Sequence, residues 1–282
     1  MRLVTFILVF CVCGSLAARA ANNAQDDASD SIYTVPVPSW TNGMNGGVGF
    51  GAWQLSGAGP TFGFFVWNST QNGDGFDNGN IGGNPSDSDI DTGVMLPVSW
   101  GLYASGGSIA SARRYFTGSP SHLEPGQVFS VDFDNGYIEP SGGRDPNYIS
   151  ISLIDSMGQE VLTVGFTGGL LNYWWTDYNS SGTTTVPFGD EGLNFTVTIG
   201  STPTDYTAKL TRRDGNSFTW SGTLTAPAAG FLAYNQNAGG PVGGPAFNLY
   251  INSMSIVPEP STVALAAVGI LVGAVRFMRR RS

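Results

Sequence analysis

The chain is poor in the side chains on which many enzymes and metal proteins depend. Its 282 residues include two cysteines and a single histidine, His122. One histidine excludes a multi-histidine metal centre, and a Ser–His–Asp triad would have to use His122 itself. We expect His122 to lie in a surface loop, because Ser, Pro and Gly surround it.

Charge is also scarce, and it is unevenly distributed. Charged residues make up 12% of the chain, about half of the share in an ordinary soluble domain, while glycine occurs 40 times. Residues 22–257 contain six basic and 20 acidic side chains, a net charge of −14. Binding to nucleic acid needs clustered Lys and Arg, so we expect no nucleic-acid partner. Low charge with abundant glycine is typical of a turn-rich β protein.

The N-terminus has the parts of a secretory signal peptide. Arg2 precedes an apolar run over 3–12, and Ala18-Arg19-Ala20 is a small-residue cleavage site, which predicts a signal peptide over residues 1–20 and passage through the secretion translocon. A membrane anchor is the alternative, although the run has about half of the ~20 residues that a spanning helix needs. Both cysteines lie here, so the exported chain would have no thiol or disulfide.

The C-terminus combines prolines, a short apolar stretch and a basic end. The motif Val257, Pro258, Glu259 and Pro260 precedes an apolar run over 263–275. We expect its prolines to stop any strand, and a transmembrane helix to follow over about 262–278. The basic tail, residues 279–282, would stay on the cytoplasmic side. The arginines that we assign to this membrane stop are Arg276, Arg279, Arg280 and Arg281.

Residues 257–282 strongly resemble the PEP-CTERM sorting signal of Gram-negative bacteria. In that family the motif is read by an exosortase, an integral-membrane cysteine protease. The resemblance implies an intermediate anchored in the inner membrane, followed by transfer to the cell surface or the exopolysaccharide matrix. It implies that Pro258, Glu259 and Pro260 are recognition residues. A permanent tail anchor is the alternative.

The central part predicts an all-β fold. Residues 21–48 are expected to hold a flexible leader, polar and acidic over 22–31, and a first strand region. In residues 49–256, about a dozen short apolar or alternating runs are separated by turn signals such as Asp214-Gly215-Asn216. This pattern predicts a single two-sheet antiparallel sandwich of the jelly-roll kind. It is similar to the concanavalin A-like ectodomains that are often found ahead of PEP-CTERM tails.

An acidic loop is the one candidate for a metal site. Asp87, Asp89 and Asp91 alternate along a Gly-rich and Ser-rich segment and would offer the oxygen ligands that calcium prefers. The spacing does not match an EF-hand, and a solvated surface loop is the other interpretation. We expect no other cofactor.

Aromatic residues next to polar ones suggest contact with sugars. Tyr173, Trp174 and Trp175 end the predicted strand over 170–175, and together with Asp177 just beyond it they would form a platform for glycans such as exopolysaccharide. Adjacent residues of a strand face opposite sides, so one tryptophan is expected in the core and the other outside. Core packing is the alternative for all of them.

The leading hypothesis is therefore an exported, non-enzymatic protein of the cell surface or matrix. The alternative is a secreted polysaccharide hydrolase or lyase of concanavalin A-like fold, with Asp132 and either Asp134 or Glu139 as the catalytic carboxylates. Arg113 and Arg114 fall on opposite faces of one predicted strand, and we expect both to pair with surface aspartates.

Overall fold

The computed structural model describes residues 23–35, 37, 39–67, 99–140, 146–189, 192–240 and 247–258. These residues form fifteen strands and one short helix, α1, Ser31–Thr34. The strands are β1 Ala24–Asp27, β2 Gln54–Ala58, β3 Thr61–Trp67, β4 Ser99–Ser105, β5 Ile109–Tyr115, β6 Gln127–Asn135, β7 Tyr148–Ile154, β8 Glu160–Thr167, β9 Asn172–Asp177, β10 Ser181–Pro187, β11 Leu193–Ile199, β12 Asp205–Arg212, β13 Ser217–Thr223, β14 Gly230–Gln236 and β15 Leu249–Pro258.

The strands form two antiparallel sheets. The eight-stranded sheet has the order β13-β12-β11-β6-β15-β4-β3, and β1 pairs with β15 beside this path. The seven-stranded sheet has the order β10-β9-β8-β7-β14-β5-β2. The predicted two-sheet antiparallel sandwich is thus confirmed.

The core lies between the sheets because apolar side chains recur at every second position. In β11, Leu193, Phe195, Val197 and Ile199 are buried while the residues between them are not. A side-chain period of two places these four residues on one face, where they pack against the opposite sheet. The alternation seen in the sequence therefore defines the inner face of each strand.

The N-terminal segment is part of the sandwich, which corrects the prediction of a flexible leader over 22–31. Ala24–Asp27 pairs in register with β15, Ala24 opposite Ile256 and Asp27 opposite Ser253. Ala24, Asp26 and Ala28 are buried. Backbone pairing and a buried counter-ion for Asp26 order this polar stretch, and neither can be recognised from composition.

The last strand continues into the sorting motif. Val257 and Pro258 pair with Val128 and Gln127 of β6, and the described strand ends at Pro258, the first proline of the motif. Proline lacks only its amide hydrogen and is tolerated at a strand terminus. Glu259, Pro260, the expected helix over 262–278, its four arginines and the signal peptide over 1–20 lie outside the described residues. In the part of the chain that the structure describes, no helix has the length and apolar character needed to cross a membrane.

Candidate functional site

Three aromatic side chains form a row on the outer face of the seven-stranded sheet. We call Trp174 of β9, Tyr148 of β7 and Tyr234 of β14 the aromatic row. The ring centroids of Trp174 and Tyr148 are 6.1 Å apart, and those of Tyr148 and Tyr234 are 5.3 Å apart. All three side chains are partly exposed. The row therefore presents aromatic surface to solvent across four neighbouring strands.

Trp174 lies flat because its cross-strand neighbour has no side chain. Gly165 pairs with Trp174, and a Cβ at Gly165 would lie 2.5 Å from Cζ2 of the indole. The indole Nε1 donates a hydrogen bond of 2.9 Å to Thr167 Oγ1. The orientation of the ring is thus fixed by one glycine and one hydroxyl of β8.

The hydroxyl of Tyr234 begins a short chain of hydrogen bonds, and burial affects both tyrosines of the row. Tyr234 donates through its hydroxyl to Gln236 Oε1 at 2.8 Å, and Gln236 Nε2 donates to the Pro146 carbonyl at 3.0 Å. Burial, with added effects of Tyr234, raises the pKa of Tyr148 above its ordinary value. Burial also raises the pKa of Tyr234. Both phenols therefore stay protonated at neutral pH.

A cleft of about 390 Å³ adjoins the row at Tyr234. It lies over β5 and β14, next to the turn between β7 and β8. The residues that line it are Ser111, Arg113, Gly158, Gln159, Glu160, Leu232 and Tyr234. All but the largely covered Leu232 and Gly158 contribute a polar side chain, so the cleft suits a hydroxylated ligand better than an apolar one.

Arg113 and Glu160 give the cleft one cation and one carboxylate. The Arg113 guanidinium lies against the backbone of Gly158, where a Cβ would come within 2.7 Å of Nη1. Glu160 Oε2 is 2.8 Å from the hydroxyls of both Ser152 and Thr163. Arg113 and Glu160 do not form an ion pair with each other or with another described residue.

The structure corrects two of the predicted glycan contacts. Tyr173 is fully buried, and its hydroxyl donates to Asn135 Oδ1 at 2.7 Å. Asp177 is buried and accepts hydrogen bonds from the Tyr206 hydroxyl at 2.6 Å and from the backbone N–H of Asn179 at 2.8 Å. Both residues lie on the inner face of β9, where side-chain alternation puts them, and neither is accessible to a polymer outside the domain.

The two adjacent tryptophans point to opposite faces of β9. Trp175 packs inward, with its ring 5.5 Å from the Trp220 ring of the other sheet. Trp174 points outward into the aromatic row. Of the four residues predicted as glycan contacts, Trp174 is the one that reaches the outer face.

Of the carboxylates in the hydrolase alternative, Asp132 is held by structural partners and Asp134 is buried. Asp132 accepts hydrogen bonds from Asn194 Nδ2 at 2.7 Å and from Ser253 Oγ at 2.9 Å. Asp134 shares the outer face of β6 with Asp132 but is buried. Glu139 lies beyond the end of β6, and its carbonyl accepts a hydrogen bond from Asn147 Nδ2 at 2.8 Å.

The remaining predicted residues have other positions. His122 lies 3.3 Å from Glu124 in an irregular segment before β6. Asp87, Asp89 and Asp91 lie outside the described residues, so the calcium prediction remains a prediction. Within the described ranges, no cluster of three or more His, Cys, Asp or Glu side chains could hold a metal ion.

Arg114 is not a surface residue, which corrects the expectation for the arginine pair. It is fully buried and forms an ion pair with Asp26, with its guanidinium 4.8 Å from the Trp53 ring centroid. Arg113, on the other face of β5, lines the cleft.

Sequence reasoning missed most of the outer face. Tyr148, Tyr234, Arg113 and Glu160 come from four strands, and no local motif links them. A signal was available for Tyr148, which shares the polar positions of the alternating run Tyr148–Ile154 with two serines. The order of the strands in the sheet was needed to bring these residues together.

Several solved structures are similar to the chain at low sequence identity. The chain is similar to the alginate lyase from Klebsiella pneumoniae, with 10% identity, a TM-score of 0.37, and coverage of 54% of this chain and 74% of the lyase. It is similar to a sialidase, with 7% identity, a TM-score of 0.41, and coverage of 57% of this chain and 15% of the sialidase. It is also similar to galectin-Ib from Xenopus laevis, with 14% identity, a TM-score of 0.30, and coverage of 48% of this chain and 94% of the galectin.

The sequence comparisons concern the C-terminus. No curated protein sequence matches the chain. Residues 257–281 match the PEP-CTERM protein-sorting motif, in agreement with the resemblance seen in the sequence. This motif implies export and processing by an exosortase, a membrane protein that sorts its substrates to the cell surface. The chain is therefore a β-sandwich protein that carries a PEP-CTERM sorting motif.

Proposed function

We propose that this protein is a non-catalytic component of the cell surface or extracellular matrix, and that it contacts exopolysaccharide through the outer face of its seven-stranded sheet. The observation that carries this proposal is the aromatic row of Trp174, Tyr148 and Tyr234 beside a polar cleft. The sorting motif supports an extracellular site of action. We further propose that the producing cell is of Gram-negative type and that an inner-membrane intermediate precedes processing.

Aromatic rings and protonated phenols suit a sugar polymer. The apolar face of a sugar ring packs on an aromatic ring, and its hydroxyls need nearby donors and acceptors. Trp174 offers a partly exposed indole, while Tyr148 and Tyr234 offer rings with polar hydroxyls. Successive ring centroids of the row are 6.1 Å and 5.3 Å apart, so a polymer that lies along the row can contact all three rings.

Binding is favoured over hydrolysis by the state of the carboxylates. Asp132 is held by Asn194 and Ser253, and Asp134 is buried. Glycoside hydrolysis by two carboxylates needs both groups to face the scissile bond. We therefore place hydrolysis by the pair Asp132 and Asp134 second among the candidate functions.

The test uses the full chain, purified in a mild detergent, on an array of bacterial and plant polysaccharides. We expect binding to at least one polymer and a loss of about tenfold or more in the Trp174→Ala variant. Tyr178→Phe, at an exposed position outside the row, is the matched control and should bind normally. No binding on the array would overturn the proposal, and release of reducing ends or unsaturated products during incubation would favour the enzyme.

A further inference from the structure

The cleft next to the aromatic row carries two charged groups that do not neutralise each other. Arg113 is half-buried, and Glu160 is exposed at the start of β8. Among the described residues, the Arg113 guanidinium has no carboxylate partner, although the central part of the chain contains 20 acidic residues. Each group can therefore form further hydrogen bonds with a ligand in the cleft.

The two groups have complementary capacities. A guanidinium has five N–H donors and no acceptor, whereas a carboxylate only accepts. Glu160 uses Oε2 for the hydroxyls of Ser152 and Thr163, which leaves Oε1 without a hydrogen bond from a described residue. One donor fork and one acceptor oxygen thus line the same cleft.

Sugar hydroxyls match this arrangement because each can donate one hydrogen bond and accept others. One hydroxyl can accept from Arg113 while its neighbour donates to Glu160 Oε1. Such charge-assisted hydrogen bonds are about twice as strong as neutral ones. The cleft volume of about 390 Å³ lies in the range of small-ligand sites.

Charge argues against an acidic sugar in the same position. A uronate or sulfate could reach Arg113, but it would approach the Glu160 carboxylate within the same cleft. The central part of the chain also has a net charge of −14, so a polyanion would be repelled at long range. An uncharged sugar avoids both penalties.

We infer that this cleft is a specificity subsite for one uncharged sugar unit, with Arg113 donating to one hydroxyl and Glu160 accepting from its neighbour. The inference rests on the proposed polysaccharide contact and specifies its ligand class. The polymer lies along Trp174 and Tyr148 and places one unit beyond Tyr234 in the cleft.

The experiment compares immobilised dextran and galactomannan, as neutral polymers, with polygalacturonate as the acidic one. Binding of the full chain is measured by biolayer interferometry at low and at high NaCl. We expect a neutral polymer to bind best, with little change in affinity between the two salt concentrations. Arg113→Gln and Glu160→Gln should each weaken that binding by about tenfold, roughly the effect of one charge-assisted hydrogen bond.

Two matched control variants each remove one charge, one positive and one negative, at positions outside the cleft. Lys209→Gln removes an exposed cation from the other sheet, and Asp205→Asn removes a carboxylate from the first position of β12. Both should bind like the unmodified chain. Circular dichroism of every variant verifies the fold.

The outcomes separate this inference from the proposed function. Preferred binding of polygalacturonate, or normal binding by both cleft variants while Trp174→Ala loses it, would overturn the neutral subsite and leave the polysaccharide contact intact. If the chain bound none of the three polymers and nothing on the wider array, both the neutral subsite and the proposed polysaccharide contact would be overturned.

Discussion

Arg114 and Asp26 form a fully buried ion pair that connects the two sheets, since Arg114 belongs to β5 and Asp26 to β1. The Tyr33 hydroxyl donates to Asp26 Oδ2 at 2.8 Å, and Arg114 Nε donates to the Gly51 carbonyl at 2.8 Å. Burial raises the pKa of Asp26, and the charge of Arg114 opposes that rise. The pair fastens the N-terminal segment to the sandwich.

Removing one member of this pair should destabilise the fold strongly. Asp26→Ala leaves a buried guanidinium without its counter-ion, and we expect the free energy of unfolding to fall by about 3–5 kcal/mol. Urea unfolding of the full chain, followed by tryptophan fluorescence, measures the change. Asp214→Ala, which breaks the more exposed pair with Arg212, should cost at most about 1 kcal/mol. Equal losses in the two variants would contradict a structural role for the buried pair.

The neighbouring tryptophans of β9 should differ in their effect on stability. Trp175 packs against Trp220 inside the sandwich, so Trp175→Ala should lower the free energy of unfolding by about 3 kcal/mol. Trp174 lies on the outer face, and its replacement by alanine should cost about 1 kcal/mol, for a smaller loss of packing. Denaturant melts of both variants provide the comparison. A reversed order would mean that β9 faces the other way.

Gly165 should control the position of the Trp174 ring. A Cβ at this position would lie 2.5 Å from the indole and 2.6 Å from the Ile149 carbonyl. Gly165→Ala should therefore displace Trp174 and reduce both stability and polysaccharide binding. Gly51→Ala is the control, because a Cβ there would meet its nearest atom at 3.4 Å. Thermal melting and the array measure the two effects, and an unchanged melting temperature for Gly165→Ala would contradict the close packing.

Stability should decrease in alkaline solution. Burial and the hydrogen bond to Asp177 raise the pKa of Tyr206 above its ordinary value of 10.0. The buried Tyr206 phenol contributes fully to the free energy of unfolding below pH 10. This contribution is lost as the pH rises, because the unfolded chain releases the phenol proton at a lower pH than the folded chain does. Above pH 10, Tyr206 should lower the free energy of unfolding by up to about 1.4 kcal/mol for each pH unit.

Urea unfolding at a series of pH values above 9 measures this slope. Tyr206→Phe should make the slope shallower by the contribution of one tyrosine. Tyr178→Phe, at a position with 82% exposure, should leave it unchanged. The same slope in the unmodified chain and Tyr206→Phe would show that the buried phenol does not govern alkaline unfolding.

Processing should depend on the sorting motif. Replacing Pro258, Glu259 and Pro260 with alanine removes the residues that the exosortase is expected to recognise. The variant should keep its C-terminal segment, and the mass of the cell-associated form should exceed that of the processed chain. Mass spectrometry of the surface fraction measures this, with Pro203→Ala as a control for proline removal. Unchanged processing of the triple variant would contradict recognition through these residues.

The sequence by itself determined the features that local patterns encode. Alternation of apolar and polar residues in runs such as Leu193–Ile199 specified strands with one buried face, because a strand has a side-chain period of two. The same rule put Trp174 and Trp175 on opposite faces of β9. The sorting motif at residues 257–281 was also readable, since it depends on order along the chain.

The tertiary structure decided which of these faces meet. A polar, acidic N-terminus became strand β1 only because β15 supplies hydrogen bonds and Arg114 supplies a buried counter-ion for Asp26. Arg113 and Glu160 are 47 positions apart, and the order β8-β7-β14-β5 brings them to one cleft. Strand order depends on long-range pairing, which no local spacing reveals, so the cleft emerged from the fold and the sorting motif from the sequence.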